Sequence, residues 1–122
     1  MHKVGLKFAY DGDGNCPVFD EWQALRDRSK SDAWKLGRLY ALLQAAASAA
    51  SAVAVAVEEQ RINPDRRPPL YQEEFQSVVA IFTTEVSGIA VASIVVLAVA
   101  DGREVPFQSM IDVAMRRLLE AV

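Results

Sequence analysis

The sequence predicts a mainly α protein, a small helical bundle around a long helical hairpin with a short N-terminal β-hairpin or strand. Three observations predict it. Residues 39–57 carry no charge and place apolar side chains at three- and four-residue steps. Residues 75–100 form a second apolar segment whose only charge is Glu85. Between them, RINPDRRPP at 61–69 holds three prolines and three arginines, and proline cannot continue a helix, so the chain must turn there. The alternative is an α+β arrangement, in which the second apolar segment is sheet.

The elements follow in order. In KVGLKFAY, 3–10, Val4, Leu6, Phe8 and Tyr10 alternate with Lys3, Gly5, Lys7 and Ala9, the period of a half-buried strand. DGDGN, 11–15, is a turn. Pro17 suits the first turn of a helix, where its missing N–H costs nothing, and Val18, Phe19, Trp22 and Leu25 form the stripe of a helix ending around Asp27–Lys30. Asp20 and Glu21 sit near its positive end. Ser29 or Ser31 can cap the next helix. Leu36, Leu39, Tyr40, Leu43, Ala47, Ala50, Ala54 and Val57 give that helix a stripe over 31–60, roughly 45 Å long.

After the linker, Tyr71, Phe75, Val78, Val79, Phe82 and Val86 share one helical stripe, with Glu73 and Glu74 in its first turn, which predicts a helix over 70–86. VVAIFTT also has strand propensity. GIAVASIVVLAVA, 88–100, is apolar all round, so periodicity alone does not separate buried helix from buried strand; it is read as helix. Asp101-Gly102 ends it. A final helix over 106–121 turns Phe107, Met110, Ile111, Ala114, Leu118 and Val122 inward, with Asp112, Arg116 and Glu120 spaced four apart on its outer face.

A chain of 122 residues is one domain by length, here 1–122 with the turn at 61–69. The net charge of −3 and the mixed signs argue against binding along a nucleic-acid backbone, which needs clustered Lys and Arg. The apolar segments are rich in Ala and Ser rather than Leu and Phe, which favours a buried core over membrane spans. The single cysteine, Cys16, allows no intramolecular disulfide and fits a reducing, cytoplasmic compartment, and the N-terminus has no signal-peptide pattern.

No motif specifies a chemistry. His2 is the only histidine, which argues against a histidine triad or a multi-histidine metal site. Asp11, Asp13 and Asn15 alternate as at the start of a calcium loop, but Cys16 and Trp22 stand where that loop needs glycine and a bidentate glutamate. Glu58, Glu59, Glu73 and Glu74 flank the linker and read as a solvated cluster. No catalytic residue, cofactor or metal is assigned. The candidate interaction residues are Arg61, Arg66 and Arg67 on the linker, Tyr71 after it, and Arg116 and Arg117 on the last helix, because arginine clamps carboxylates and phosphates. Trp22, Trp34, Tyr40 and Tyr71 read as core or helix-junction residues rather than a ligand cage.

Two families are resembled in part. KFAYDGDGNCPVFDEWQALRDRSKSDAWKLGRLYALL, 7–43, resembles the start of the RelE/HigB-type toxin family, where a strand, a turn and a Pro-Val-led helix precede a second helix. GREVPFQSMIDVAMRRLL, 102–119, is similar to that family's final helix. The resemblance implies a small α+β fold that cleaves messenger RNA on the ribosome with basic side chains. Where the family's last strand would carry a basic run, this chain reads SIVVLAVADGRE. Residues 78–119 also resemble a ribbon-helix-helix unit, which implies DNA reading from ribbon side chains; the ribbon here offers Thr83 and Thr84 and no Lys or Arg.

With no catalytic groups and more Ala/Val surface than one small domain easily hides, the sequence reads as a non-enzymatic interaction protein. Its expected partner is another protein or a second copy as a homodimer, in the manner of a phage or mobile-element inhibitor, adaptor or assembly factor.

Overall fold

The computed structural model describes residues 5–52, 69–87 and 90–120. Among these residues it is an α+β fold, not a helical bundle: three helices with a four-stranded mixed sheet, 50% helical and 30% strand. The elements run β1 (Gly5–Phe8), α1 (Pro17–Arg28), α2 (Lys30–Ala52), β2 (Tyr71–Phe75), β3 (Val78–Ser87), β4 (Ala90–Asp101) and α3 (Phe107–Glu120). The sheet order is β1-β4-β3-β2, with β1 parallel to β4 and the other pairs antiparallel.

The correction falls on 70–100. The helix expected over 70–86 is two strands joined by a two-residue turn, Gln76-Ser77, with Phe75 opposite Val78. Glu73 and Glu74 therefore lie in β2 and not in a first helical turn. Residues 90–101 are the long strand β4. The N-terminal strand is likewise not part of a hairpin: it joins the far end of the chain, Gly5 opposite Ser93 and Phe8 opposite Val96, and the 11–15 turn leads into α1. The ribbon-helix-helix arrangement does not form, since β3 is a central strand followed by another strand.

The strand periods explain the layers. Side chains alternate across a strand, so Phe75, Val78, Asp101, Phe82, Val96 and Phe8, which are linked by register, share one face of the sheet. That face takes the α1–α2 hairpin. Phe8 meets Phe19 and Trp22 of α1 with ring centroids 6.2 and 5.5 Å apart, and Phe75 meets Trp34 of α2 at 5.3 Å. Val79, on the opposite face, lines a hollow with Phe107 and Met110 of α3. The sheet is thus sandwiched, and Ile94 to Val99 are buried without a break, which is why this strand is apolar on both sides.

The junctions are locally set. Cys16 precedes α1, with Pro17 at its first turn, and donates its Sγ–H to Ala9 O at 3.3 Å. Ser29 is a single extended residue between α1 and α2, and its Oγ accepts from Asp32 N–H at 3.0 Å, so Ser29 is the cap of α2. Leu36, Leu39, Leu43, Ala46 and Ala47 bury the inner face of α2, whereas Tyr40 is on its edge. The expected continuation of this helix to residue 60 and the whole 61–68 stretch of the linker lie outside the described residues. α3 buries Met110 and Ala114, while Phe107, expected inward, is 41% exposed.

Candidate functional site

The face of the sheet that carries α3 is only partly covered by it. Beyond the C-terminal turns of the helix, a groove of about 360 Å³ opens between β1, β4 and β3. Val95, Leu97 and Leu118 form its apolar part, Thr83 lies behind them, and Lys7 and Glu85 stand at its rim. Strand alternation puts them together: Lys7 is opposite Val95, and Val95 is opposite Thr83. Leu97 is the residue by which β4 slips register against β3, between Ile81 opposite Ala98 and Phe82 opposite Val96. A bulge of this kind bends the strand and re-aims its side chains.

The two charged groups of the groove are paired with each other. Lys7 Nζ lies 2.9 Å from Glu85 Oε2, and the same carboxylate oxygen accepts from Ser93 Oγ at 2.9 Å. The bond from Lys7 holds the Glu85 carboxyl below its ordinary value, against the opposing effect of burial. Thr83 Oγ1 donates to Pro69 O at 2.8 Å. Such a groove offers apolar contact framed by a neutral ion pair, and it fits an apolar side chain better than a phosphate.

A second polar cluster sits at the other end of β4, on the hairpin face. Asp101 is buried, and its carboxylate receives Arg103 through Nε at 3.1 Å and Nη2 at 2.8 Å. Its Oδ1 also accepts the Arg103 backbone N–H at 2.9 Å. Arg28 Nη2 approaches Asp101 at 3.6 Å and Glu104 Oε1 at 2.9 Å, while Nη1 donates to Glu104 Oε2 at 2.9 Å and Nε lies 3.3 Å from Asp32. The bonds from Arg103 lower the Asp101 carboxyl to about 2 and raise the Arg103 guanidinium above its ordinary value. This cluster ties the α1–α2 junction to the β4–α3 turn, and every charge in it has a partner, which marks it as structural.

The residues expected from the sequence are not brought into one site. Arg61, Arg66 and Arg67 lie outside the described residues. Tyr71 is buried, its ring stacked on Phe82 at 5.5 Å. Arg117 is committed internally: it pairs with Glu21 of α1 and donates to Leu97 O at 2.9 Å. Arg116 is exposed on α3. Of the aromatics read as core or helix-junction residues, Trp34 and Tyr40 are 54% and 38% exposed, Trp22 is partly buried and Tyr71 is buried. Glu58 and Glu59 lie outside the described residues, and among those described no group of His, Cys, Asp and Glu is placed to hold a metal. No helix among the described residues is long and apolar enough to cross a membrane.

The groove residues escaped sequence reasoning because they come from three strands whose pairing was not foreseen, together with Leu118 of α3. One signal was present: Lys7 and Ser93 are polar positions within otherwise apolar strands, and such positions mark a face that is not fully covered. No protein-family model, no curated protein and no solved structure matches this chain.

Proposed function

We propose that this protein is a non-enzymatic protein–protein interaction protein, working in the cytoplasm as an inhibitor, adaptor or assembly factor of the phage or mobile-element type. The observation that carries the reading is the groove beside α3, apolar within, with its rim charges already paired and with Tyr10 in its lining 63% exposed; Leu119 is a further apolar side chain, 67% exposed, on α3. Apolar surface left open on a small domain is characteristic of an interface. A rim whose charges satisfy each other leaves neither of them free to bind a charged ligand. The unpaired Cys16 fits the reducing compartment.

The test is a discrete complex, with itself or with another protein, detected by light scattering and native mass spectrometry. The complex should weaken in Tyr10→Glu or Leu119→Glu, whose side chains are exposed enough to leave the fold intact. A wild-type chain that is monomeric and forms no complex in its native host sinks the reading.

A second reading is a divergent RelE/HigB-like protein acting on RNA. What supports it is element order: strand, Pro-Val-led helix, second helix and final helix fall at β1, α1, α2 and α3, within an α+β fold. Against it, β4 carries no basic side chain and Arg117 is engaged with Glu21. This reading predicts growth arrest on expression, relieved by replacing Arg61, Arg66, Arg67 and Arg116. Normal growth disposes of it.

A further inference from the structure

The solvent side of α2 carries charge of one sign. Its cations are Lys30, Lys35 and Arg38, of which Lys30 and Arg38 are exposed and Lys35 partly so. Its one carboxylate, Asp32, is buried and lies 3.3 Å from Arg28. Among the described residues none of the three cations has a carboxylate partner. The chain as a whole carries a net charge of −3, so this surface runs against the balance of its own protein. Lys30 also stands in the first turn of the helix, where the dipole disfavours a cation. Glu73 shares the hairpin face of β2 with Phe75, but it is engaged in an interaction of its own.

The cations surround an exposed aromatic side chain. Lys30 and Arg38 stand one helical turn before and after Trp34, and Lys35 lies a turn before Arg38. Trp34 is 54% exposed, and its ring packs edge-to-face with Phe75 at 5.3 Å. The Arg38 guanidinium lies over the same Phe75 ring, 5.9 Å from its centroid. Phe75 thus holds both side chains in place, so each loses little freedom when a partner lands on it. Beyond them the outward positions of α2 are Gly37, Ala41 and Ala45, all exposed, and a Cβ on Gly37 would meet nothing within 4 Å. No tall side chain screens Trp34 on that side.

We propose that the outer face of α2 around Trp34 docks an acidic segment of a partner protein, with an apolar side chain of that segment on Trp34 and its carboxylates on Lys30, Lys35 and Arg38. Trp and Arg are the residues most often found at the energetic centre of an interface. Charge complementarity selects the occupant. A second copy does not fit, because a two-fold contact through this face gives its cations only the same cations to meet. A nucleic-acid strand fits less well, since three cations on a net acidic protein are few for tracking phosphates. The face lies across the sheet from the groove beside α3, so the two surfaces stand or fall separately.

The test uses a fluorescein-labelled peptide of mixed Glu and Leu, its counterpart with Gln in place of Glu, and labelled oligouridylate. By fluorescence polarisation the Glu peptide should bind more tightly than about 100 μM at low salt and weaken as salt is added. In a Trp22→Phe chain, where Trp34 is the one tryptophan left, emission should move to shorter wavelength on binding. Lys30→Glu, Lys35→Glu and Arg38→Glu together should weaken binding at least about tenfold with an unchanged circular dichroism spectrum. If that chain does not fold, Lys30→Gln with Arg38→Gln decides by the same measurement. Absence of binding, equal binding of the Gln peptide, or binding that survives the charge changes overturns the assignment and leaves the groove reading untouched. Oligouridylate bound more tightly than the Glu peptide also overturns it, and makes the face a nucleic-acid surface.

Discussion

Arg117 near the end of α3 grips Glu21 at the start of α1 through both terminal nitrogens, Nη1 to Oε1 at 2.6 Å and Nη2 to Oε2 at 3.1 Å. The two helices lie on opposite faces of the sheet, so this fork joins the layers past the end of β1. The guanidinium also donates to Leu97 O within the β4 bulge. Its side chain is 13% exposed, and Glu21 is 37% exposed. A bidentate pair with a backbone bond is stronger than a surface ion pair, but exposure of the carboxylate reduces it. Arg117→Met should cost about 1–2 kcal/mol by urea unfolding with an unchanged slope, and Glu21→Gln less, because the bond to Leu97 O persists. Equal losses for the two variants would show that Leu97 O contributes nothing.

Asp101 makes stability depend on acid. Its carboxyl is lowered from 3.8 to about 2, chiefly by the side-chain bonds from Arg103. A depressed carboxyl contributes stability that is present above the unfolded value and is lost as pH falls through the folded one. The loss should fall between about pH 4 and pH 2 and amount to roughly 2 kcal/mol. Asp101→Asn should be less stable at pH 7 and show a flatter profile below pH 4. A variant whose acid limb parallels that of wild type would assign the loss to other carboxylates.

Glu85 is lowered as well, by its bond from Lys7, but the pair is about half exposed, at 54% and 50% of the two side chains. Solvent screening therefore removes most of its worth. Glu85→Gln should change stability by less than about 1 kcal/mol and leave the fold intact, so any effect of that substitution on complex formation reports the groove rim directly. A loss much larger than this would make the pair a structural element.

The sequence disclosed the N-terminal half better than the rest. α1 was legible because Pro17 and the Val18–Trp22–Leu25 stripe give both start and period, and α2 because Leu36, Leu39 and Leu43 face one way. β2 to β4 were not. Phe75, Val78, Val79 and Phe82 have helical spacing only by accident of the turn between them: Val78 and Phe82 face the helical hairpin and Val79 faces α3. β4 lost its period of two because both its faces are buried. The groove was hidden with them, since its walls are residues distant in sequence that only the register brings together.

The turn at Gln76-Ser77 shows why the hairpin left no signature, and it can be tested. Two-residue hairpin turns favour residues that accept positive φ, and Gly, Asn or Asp there is the usual signal. Here Gln76 takes φ 54, in the left-handed region, with a Cβ that crowds the backbone. Phe75 paired with Val78 and the 2.7 Å bond from Gly102 N–H to Ser77 O hold it there, because the β4–α3 turn packs against this loop. Gln76→Gly removes the crowding but also frees the unfolded chain, so the net gain should be about 0.5–1 kcal/mol. Gln76→Val, whose branched Cβ resists positive φ, should lose stability. Thermal unfolding of both variants checks the pair. A stability order with valine above glycine would mean that the backbone relaxes to negative φ at no cost, and that the strand pairing rather than the turn fixes this hairpin.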